Sequence, residues 1–349
     1  MALLVAPTSN FIFSDSISSV VARSDLRCGI RTFGGTDKSA ESRIKVTPTG
    51  GSSALFPAQE FCYHPRMKTF FRCRVLTAVL LVFCAGISAD PSHGPKKGYL
   101  LITGGLTQRP DFDRFIEMAG GAKARIVVIP TASVTHPTSA ADLEHYCTDP
   151  KTFGGMNCTV LHTTDRNEAD SESFVAPLKN ATGVWLLGGR QWRLADAYLG
   201  TRTVKEIFNV LDRGGVVGGG SAGASIQASY MVRGQSSPDD NTVMMAKGHE
   251  TGFGLFTNVA IDQHVDARGR ENDLAVVMKA HPELLGLGLD QSTSITVHGD
   301  IVTVNGPGKV AVWDGKDHDG KGYYQLHTGD KLDTVTRVAT IAPVAPAAK

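Results

Sequence analysis

The sequence lacks the features that mark several large classes of protein. Its 35 lysines and arginines nearly cancel its 34 aspartates and glutamates, so its net charge does not point to a nucleic acid partner. It contains no Cys-x-x-C pair, and its glycine-rich segments lack the lysine of a phosphate-binding loop. Its apolar run at 75–89 is shorter than the 18 or more residues of a membrane-spanning helix. These absences disfavour a metal site, a bound cofactor, nucleic acid binding and a stable membrane span.

The N-terminal part of the chain is expected to precede the fold. Residues 1–66 are rich in serine, threonine and glycine without a helical or strand period, which indicates a disordered or targeting leader, or a wrongly assigned start. From Met67 a basic stretch leads into the apolar run, which ends in the small residues Ser88 and Ala89. This layout is typical of a secretory signal peptide at 67–89, with an uncleaved anchor as the alternative. We therefore expect export to a periplasm or outside the cell.

Two cysteines, Cys147 and Cys158, follow the expected signal peptide. In an oxidising compartment they could pair and close a small loop. Two unpaired thiols are the alternative, and the sequence does not decide between them.

The rest of the chain predicts an α/β fold. Short apolar runs alternate with segments of helical period, and their continuous hydrophobicity indicates strands buried on both faces. The expected architecture is a doubly wound, mostly parallel sheet with helices on both faces, followed by C-terminal β-hairpins. We expect a single domain at 90–334 and a flexible tail at 335–349. The expected strands are 99–103, 125–130, 158–162, 184–187, 216–217, 259–261, 285–289, 294–298, 301–304 and 310–314, and the main helices cover 111–119, 204–211 and 222–232.

A glycine-rich segment carries the strongest chemical signal. Ser221 lies in the pattern Gly219-x-Ser221-x-Gly223, between an apolar strand and a segment of helical character. This context favours a nucleophile elbow, in which a sharp turn exposes the serine hydroxyl and only small neighbours avoid collision. A phosphate-cradling loop or a plain tight turn is the alternative.

A nucleophilic serine needs a base at neutral pH. His264 follows the expected strand 259–261 and lies in a polar cluster, as a residue at the edge of a sheet would. His249 is the rival base, but no strand leads into its glycine-flanked loop. A merely solvated loop around His264 is the other alternative.

Six motifs in one order give the chain a resemblance to the cyanophycinase family over residues 98–315. The same serine peptidase family includes the aspartyl dipeptidases, and its sheet resembles that of class I glutamine amidotransferases. The motifs are Gly104-Gly105, Ile-Pro-Thr-Ala-Ser at 129–133, Gly188-Gly189-x-Gln191, Gly219-Gly220-Ser221-Ala222-Gly223-Ala224, Asp262-Gln263-His264 with Arg268-Gly269-Arg270, and Gly288-Leu289-Asp290.

The resemblance implies a serine exopeptidase. Ser221 would attack the scissile carbonyl and His264 would take its proton, while the backbone N–H groups of Gly189 and Ala222 would receive the oxyanion. The family substrate is cyanophycin, a polyaspartate that carries arginine on its β-carboxylates and is cut to β-aspartyl-arginine dipeptides. The residues that match the family's substrate groove are Gln191, Asp262, Gln263, Arg268 and Arg270.

Two departures from the family pattern bear on the activity. Gln291 stands where the family has a glutamate that supports the histidine, so another carboxylate substitutes for it, or the protein is a weak or non-hydrolytic relative. Asp273 stands where cyanophycinases typically carry a third arginine, which leaves the substrate open, including the isoaspartyl or aspartyl dipeptides of the related enzymes. An esterase of the α/β-hydrolase class is disfavoured because its characteristic loop is absent. The oligomeric state is open, with a homodimer among the alternatives. The substitute carboxylates are Asp290, Asp266 and Glu250.

Overall fold

The structure, a computed structural model, describes residues 92–134, 138, 140–236 and 241–343. The expected leader at 1–66 and signal peptide at 67–89 lie outside these ranges. Among the helices in these ranges, none has the length and the hydropathy required of a membrane-spanning segment.

The described residues form fourteen strands and ten α-helices. The strands are β1 Tyr99–Thr103, β2 Arg125–Ile129, β3 Asn157–Val160, β4 Gly183–Leu186, β5 Val216–Gly220, β6 Ala228–Tyr230, β7 Phe256–Asp262, β8 Leu285–Leu289, β9 Ser294–His298, β10 Ile301–Asn305, β11 Val310–Trp313, β12 Tyr324–Leu326, β13 Lys331–Asp333 and β14 Val338–Thr340. The helices are α1 Arg109–Met118, α2 Ala140–Leu143, α3 His145–Thr148, α4 Arg166–Ala169, α5 Glu172–Val175, α6 Gln191–Tyr198, α7 Arg202–Asp212, α8 Ala222–Ser225, α9 Val265–Arg268 and α10 Leu274–Ala280.

The strands form two sheets. The first has the order β14-β13-β10-β9-β1-β5-β4-β2-β3, in which β1 to β5 run parallel and β9, β10, β13 and β14 continue antiparallel. The second has the order β12-β11-β8-β7-β6, with β6, β7 and β8 parallel. The expected α/β class with a parallel-rich sheet and later hairpins is confirmed, but the chain divides its strands between two sheets.

The helical period of the sequence corresponds to real packing faces. In α7, Val204, Ile207 and Leu211 are buried against the first sheet, while Phe208 at the margin of the same face is 37% exposed. On β5, a Cβ added to Gly218 would lie 2.5 Å from the ring of Trp185. The glycine run therefore lets the strand pack directly against this indole.

Two expected elements differ from the structure. The helix expected at 222–232 ends at Ser225, and the chain then forms β6, which pairs with β7. The apolar residues after Ser225 suit a buried strand as well as a helix, so pairing in the second sheet decides their conformation. The tail expected to be flexible from residue 335 contains β14, whose pairing with β13 extends the first sheet.

The structure pairs the two cysteines of the described chain. A disulfide joins Cys147 in α3 to Cys158 in β3, with their Cα atoms 5.4 Å apart. It connects a short helix to the outermost parallel strand of the first sheet, and it decides the alternative that the sequence left open.

Candidate active site

Ser221 lies on a sharp turn between β5 and α8. Its backbone angles, φ 55° and ψ −114°, are unfavourable for a residue with a side chain. The turn is held because the Ser221 N–H donates to the carbonyl of Thr103 at 3.2 Å. A Cβ at Gly223 would lie 2.1 Å from the carbonyl oxygen of Leu186, so this position of the motif has room only for glycine. The nucleophile elbow predicted from the sequence has the expected strand–turn–helix geometry.

His264 is the histidine that meets this serine. It follows β7, adopts a left-handed conformation with φ 55°, and its N–H donates to the carbonyl of Gly104 at 2.7 Å. Its Nε2 lies 2.9 Å from Ser221 Oγ. The ring packs directly on Gly105, where an added Cβ would lie 2.1 Å from Cε1. The Gly104-Gly105 motif therefore provides both the anchor and the space for the imidazole.

Gln291 contacts the other side of the imidazole. Its Oε1 lies 2.9 Å from Nδ1 of His264, and its own N–H donates to Asp266 Oδ1 at 2.7 Å. An amide oxygen can only accept a hydrogen bond, so it favours the tautomer that carries the proton on Nδ1 and leaves Nε2 free to accept from the serine. This arrangement orients the ring for proton abstraction.

Burial, followed by the positive charges of Arg268 and Arg270, lowers the pKa of His264 below its ordinary value. The hydrogen bond that His264 donates to Gln291 and the charge of Asp262 act in the opposite direction without reversing this shift. The imidazole is therefore neutral at pH 7, which is the protonation state that a general base requires.

The carboxylates considered as substitutes for a third catalytic acid have other partners. Asp266 accepts from the backbone of Gln291, and Glu250 accepts from the Tyr230 hydroxyl at 3.1 Å. Asp290 accepts from the Lys309 N–H at 2.8 Å, and burial, with the nearby charge of Asp266, raises its pKa.

The rival base, His249, makes its contact elsewhere. Its Nε2 lies 2.9 Å from Asp196 Oδ1. The hydrogen-bonded chain at Ser221 therefore runs through His264 to the amide of Gln291.

The two residues predicted to form the oxyanion hole belong to segments that flank Ser221. Ala222 follows the serine directly as the first residue of α8. Gly188 lies so close that a Cβ there would be 3.3 Å from Ser221 Cβ, and Gly189 next to it has φ 136°. A Cβ at Gly189 would lie 2.2 Å from the carbonyl oxygen of Ala132, so only glycine allows this approach. Their role in oxyanion binding stays a prediction.

Three of the predicted substrate-binding side chains are engaged inside the protein. Gln191 is buried and its Nε2 donates to the Val232 carbonyl at 2.8 Å. Gln263 is buried and accepts from Arg270 through both its backbone oxygen and its Oε1, at 3.0 and 3.3 Å. Asp262 is fully buried. Their contacts indicate that they support the site from within, and their role in substrate binding stays a prediction.

Asp262 forms a buried ion pair with Arg233, a residue that the sequence motifs did not indicate. Arg233 donates to both carboxylate oxygens at 2.8 Å, to Asp273 at 2.5 Å and to the Asn241 carbonyl at 2.8 Å. Although burial opposes it, these hydrogen bonds and charges raise the pKa of Arg233 above its ordinary value. The available signal was an arginine directly after the apolar pair at 231–232, since a cation in such a run needs a buried partner.

The other two predicted groove residues, Arg268 and Arg270, line a cavity of about 630 Å³ together with Asp273. Arg268 is exposed, while Arg270 is mostly buried. Burial, with the repulsion from Arg233, lowers the pKa of Arg270 to about 10. Both guanidinium groups lie close enough to His264 for their charges to act on its ring.

A strained serine at the edge of a parallel sheet, next to a neutral histidine, is the arrangement of a serine hydrolase. Residues 100–305 match the model of Peptidase family S51. The chain is 30% identical over 249 residues to a cyanophycinase of Synechococcus elongatus, covering 69% of this chain and 75% of that protein. It is 33% identical over 244 residues to a cyanophycinase of a Nostoc species, covering 68% and 74%.

A solved structure has the same fold. It is the crystal structure of a peptidase from an acI-B1 Actinobacterium, with a TM-score of 0.53 and 22% identity, covering 69% of this chain and 98% of that one. The chain thus belongs to peptidase family S51. It is a serine-type peptidase similar to cyanophycinases, as the motifs of the sequence predicted.

Proposed function

We propose that this protein is an exported serine exopeptidase that hydrolyses cyanophycin or related β-aspartyl peptides to dipeptides of the β-aspartyl-arginine type. The observation that carries the proposal is the continuous hydrogen-bonded chain from Ser221 Oγ through His264 to the Gln291 amide. It connects a hydroxyl on a strained turn to a neutral histidine, and the hydrogen bond to Gln291 fixes the tautomer of that histidine.

In the proposed reaction, Ser221 Oγ attacks the scissile carbonyl carbon as its proton moves to Nε2 of His264. The N–H groups of Gly189 and Ala222 donate to the carbonyl oxygen as it becomes negative. The imidazolium then gives its proton to the leaving amine, which leaves an ester on Ser221. Water, deprotonated by the same nitrogen, hydrolyses this ester and restores the serine.

The charges near His264 support a substrate that carries free carboxylates. Arg268 and Arg270 line the adjacent cavity, and guanidinium groups bind carboxylates through paired hydrogen bonds. Within cyanophycin each β-linked arginine keeps a free α-carboxylate, and in an isoaspartyl dipeptide the aspartate α-carboxylate is free as well, so these cations have a carboxylate to neutralise. The similarity to cyanophycinases supports the same substrate class.

Export from Met67 is the second part of the proposal. The disulfide between Cys147 and Cys158 supports it, because such bonds persist mainly in oxidising compartments. N-terminal sequencing of the protein recovered from the periplasm or the medium tests this part. A chain that keeps its residues before 90 and stays in the cytoplasm would contradict it.

One observation favours a second candidate, a weak or non-hydrolytic relative. The acceptor behind His264 is an amide, which orients the ring but cannot offset the charge of an imidazolium. In a well-studied triad, replacing the supporting carboxylate by an amide lowers kcat about 10⁴-fold, largely through the tautomer. Here Gln291 accepts from Nδ1, so the loss from the tautomer is avoided.

Replacing Ser221 by alanine tests the proposed reaction. The purified Ser221→Ala protein should lose about four orders of magnitude or more in the rate of cyanophycin and β-aspartyl-arginine hydrolysis, with an unchanged circular dichroism spectrum. Ser229→Ala, on β6, is the matched control and should keep the wild-type rate. Hydrolysis by the Ser221→Ala protein at the wild-type rate would show that Ser221 is not the nucleophile. A wild-type protein that binds these peptides without turnover would favour the second candidate.

A further inference from the structure

The backbone turn that follows β2 packs against the loop at 188–190, which carries the predicted oxyanion donor Gly189. The carbonyl oxygen of Ala132 lies 2.2 Å from the position that a Cβ at Gly189 would take, and the N–H of Arg190 donates to the same oxygen at 2.9 Å. This hydrogen bond fixes the peptide between Gly189 and Arg190. Because Gly189 has φ 136°, the direction of its own N–H depends on how that peptide is held.

Arg193 ties the turn after β2 to the helix that follows this loop. It lies in the first turn of α6, and its Nη1 donates to the Ala132 carbonyl at 3.2 Å and to the Val134 carbonyl at 3.4 Å. Its guanidinium carbon lies 5.2 Å from the ring centre of Trp192, a position in which the indole attracts a cation. The partly buried guanidinium is thus held between an aromatic ring and two backbone carbonyls.

The loop that Arg193 secures lies against the nucleophile. A Cβ at Gly188 would be 3.3 Å from Ser221 Cβ and 3.9 Å from its Oγ. An oxyanion donor is effective when it lies about 2.7–3.1 Å from the oxygen that becomes negative. A misplacement of about 1 Å can cost about 100-fold in rate, even when its cause lies away from the reacting atoms. The position of Gly189 relative to Ser221 therefore matters for the rate.

We propose that Arg193 is a positioning residue, which holds the Gly189 N–H in place for the oxyanion by securing the carbonyl of Ala132. The inference rests on the proposed function, because it concerns the same reaction at Ser221. Without the guanidinium, the turn after β2 loses two hydrogen bonds, and the acceptor of the Arg190 N–H is no longer fixed. The defect then arises at the step in which the carbonyl oxygen becomes negative.

Two other roles for Arg193 make different predictions. If Arg193 bound a carboxylate of the substrate, its removal would weaken every ligand that carries this carboxylate. If it only stabilised the fold, its removal would lower the free energy of unfolding and leave ligand binding by the folded protein unchanged. Binding of a ligand that forms an oxyanion and of a matched ligand that forms none therefore separates the three roles.

The test compares an aldehyde with the matching alcohol. The probes are a cyanophycin fragment whose backbone ends in an aldehyde at the scissile carbonyl, and the same fragment ending in a primary alcohol. Ser221 Oγ forms a bond to the aldehyde carbon, its proton moves to His264, and the carbonyl electron pair becomes the oxyanion, so that no group leaves. The alcohol cannot form this adduct.

Binding of both probes is measured by calorimetry. We expect the wild-type protein to bind the aldehyde about 100-fold or more tightly than the alcohol, because the adduct resembles the transition state. Arg193→Met should lose about tenfold of this preference, with the affinity for the alcohol changed by less than about threefold. In hydrolysis, kcat should fall about tenfold and KM should change less than about threefold.

Arg213→Met is the matched control. Nη2 of Arg213 also donates to two carbonyls, those of Leu178 at 2.9 Å and Ala181 at 3.3 Å. These carbonyls precede β4, whereas Ser221 follows β5, which runs parallel to β4, so this contact lies at the opposite end of the strands. Arg213→Met should keep the full preference for the aldehyde. Arg193→Lys, whose ammonium ends one bond short of Nη1, should lose about threefold of it and serves as the test if Arg193→Met does not fold.

The outcomes separate the role of Arg193 from the proposed function. The inference is overturned if a folded Arg193→Met or Arg193→Lys protein keeps the full preference, or if the aldehyde and the alcohol weaken equally. Wild-type hydrolysis together with an unchanged preference in these variants refutes only the role of Arg193. A wild-type preference for the aldehyde that Arg193→Met reduces, without hydrolysis of any β-aspartyl peptide, refutes only the exopeptidase function. A wild-type protein without the preference refutes both.

Discussion

Replacing Gln291 by glutamate addresses the least usual feature of the active site. The amide Oε1 lies 2.9 Å from Nδ1 of His264, so a carboxylate of nearly the same shape would occupy the same position. It would accept the same hydrogen bond and keep the same tautomer. The change adds one negative charge next to the ring on which positive charge develops in the transition state.

The magnitude follows from the distance. Two unit charges about 4 Å apart interact by about 4 kcal/mol at an effective dielectric constant of about 20. Part of this is lost to desolvation of the carboxylate, and hydrogen bonds to charged groups contribute about 1.5–3 kcal/mol net. We therefore expect kcat for β-aspartyl peptide hydrolysis to rise about 10- to 100-fold.

The pH dependence gives an independent readout. In the wild-type protein, burial lowers the pKa of His264, so activity should rise with pH through a value below 6.5 and then stay level. A carboxylate at position 291 favours the imidazolium and therefore raises the pKa of His264. The acidic limb of the profile should therefore move to higher pH. The rate comparison belongs on the plateau, where the imidazole of both proteins is neutral.

The assay is hydrolysis of cyanophycin and of β-aspartyl-arginine as a function of pH. Gln325→Glu, the same chemical change at an exposed position of β12, is the matched control and should leave both the plateau and the limb unchanged. If Gln291→Glu alters neither of them, Gln291 does not support the base and another acid already serves. If the acidic limb of the pH profile moves to higher pH while the plateau rate is unchanged, proton transfer does not limit the rate.

Three further predictions concern the supports of the site. Arg233→Met leaves a buried carboxylate without its partner and should lower the free energy of unfolding by about 3–5 kcal/mol in urea titrations. Gly105→Ala places a methyl group on the ring of His264 and should reduce kcat about 100-fold or more. Its free energy of unfolding should change less than that of Arg233→Met. Replacing both Cys147 and Cys158 by serine opens a short loop and should lower the free energy of unfolding by about 2–3 kcal/mol.

Each of these has its own control. Arg109 forms an exposed ion pair with Asp113, and Arg109→Met should change the free energy of unfolding by less than about 1 kcal/mol. Gly248→Ala is also strained, at φ 92°, but meets no atom within 4 Å, so kcat should not change. For the disulfide, an unfolding midpoint in urea that is the same with and without reductant would contradict the expected contribution.

The parallel strands and the contact between Ser221 and His264 were predictable from the sequence for a physical reason. Strands such as β1 and β8 are short, mostly apolar and followed by glycine or aspartate, so burial on both faces and the turn chemistry agree. The serine motif has little conformational freedom, because its glycines lie against backbone atoms of neighbouring strands. His264 was found because a buried strand ends in its polar cluster.

The buried ion pairs were not predictable in the same way. Asp262 lies in a motif that resembles a substrate groove, but its partner, Arg233, is 29 residues away in sequence. Whether such a carboxylate faces solvent or an internal cation depends on the pairing of β6 with β7, which the sequence pattern did not reveal. For the same reason, the helix expected through residue 232 was too long.

The hydrogen bond between Ser221 and His264 joins residues that follow strands of different sheets. Ser221 follows a strand of the first sheet, whereas His264 and Gln291 follow strands of the second. Hydrogen bonds weaken steeply once donor and acceptor separate beyond about 3.5 Å. A shift of about one ångström between the two sheets would thus break this contact and stop hydrolysis while every strand stays intact. The rate of hydrolysis would therefore report on the relative position of the two sheets.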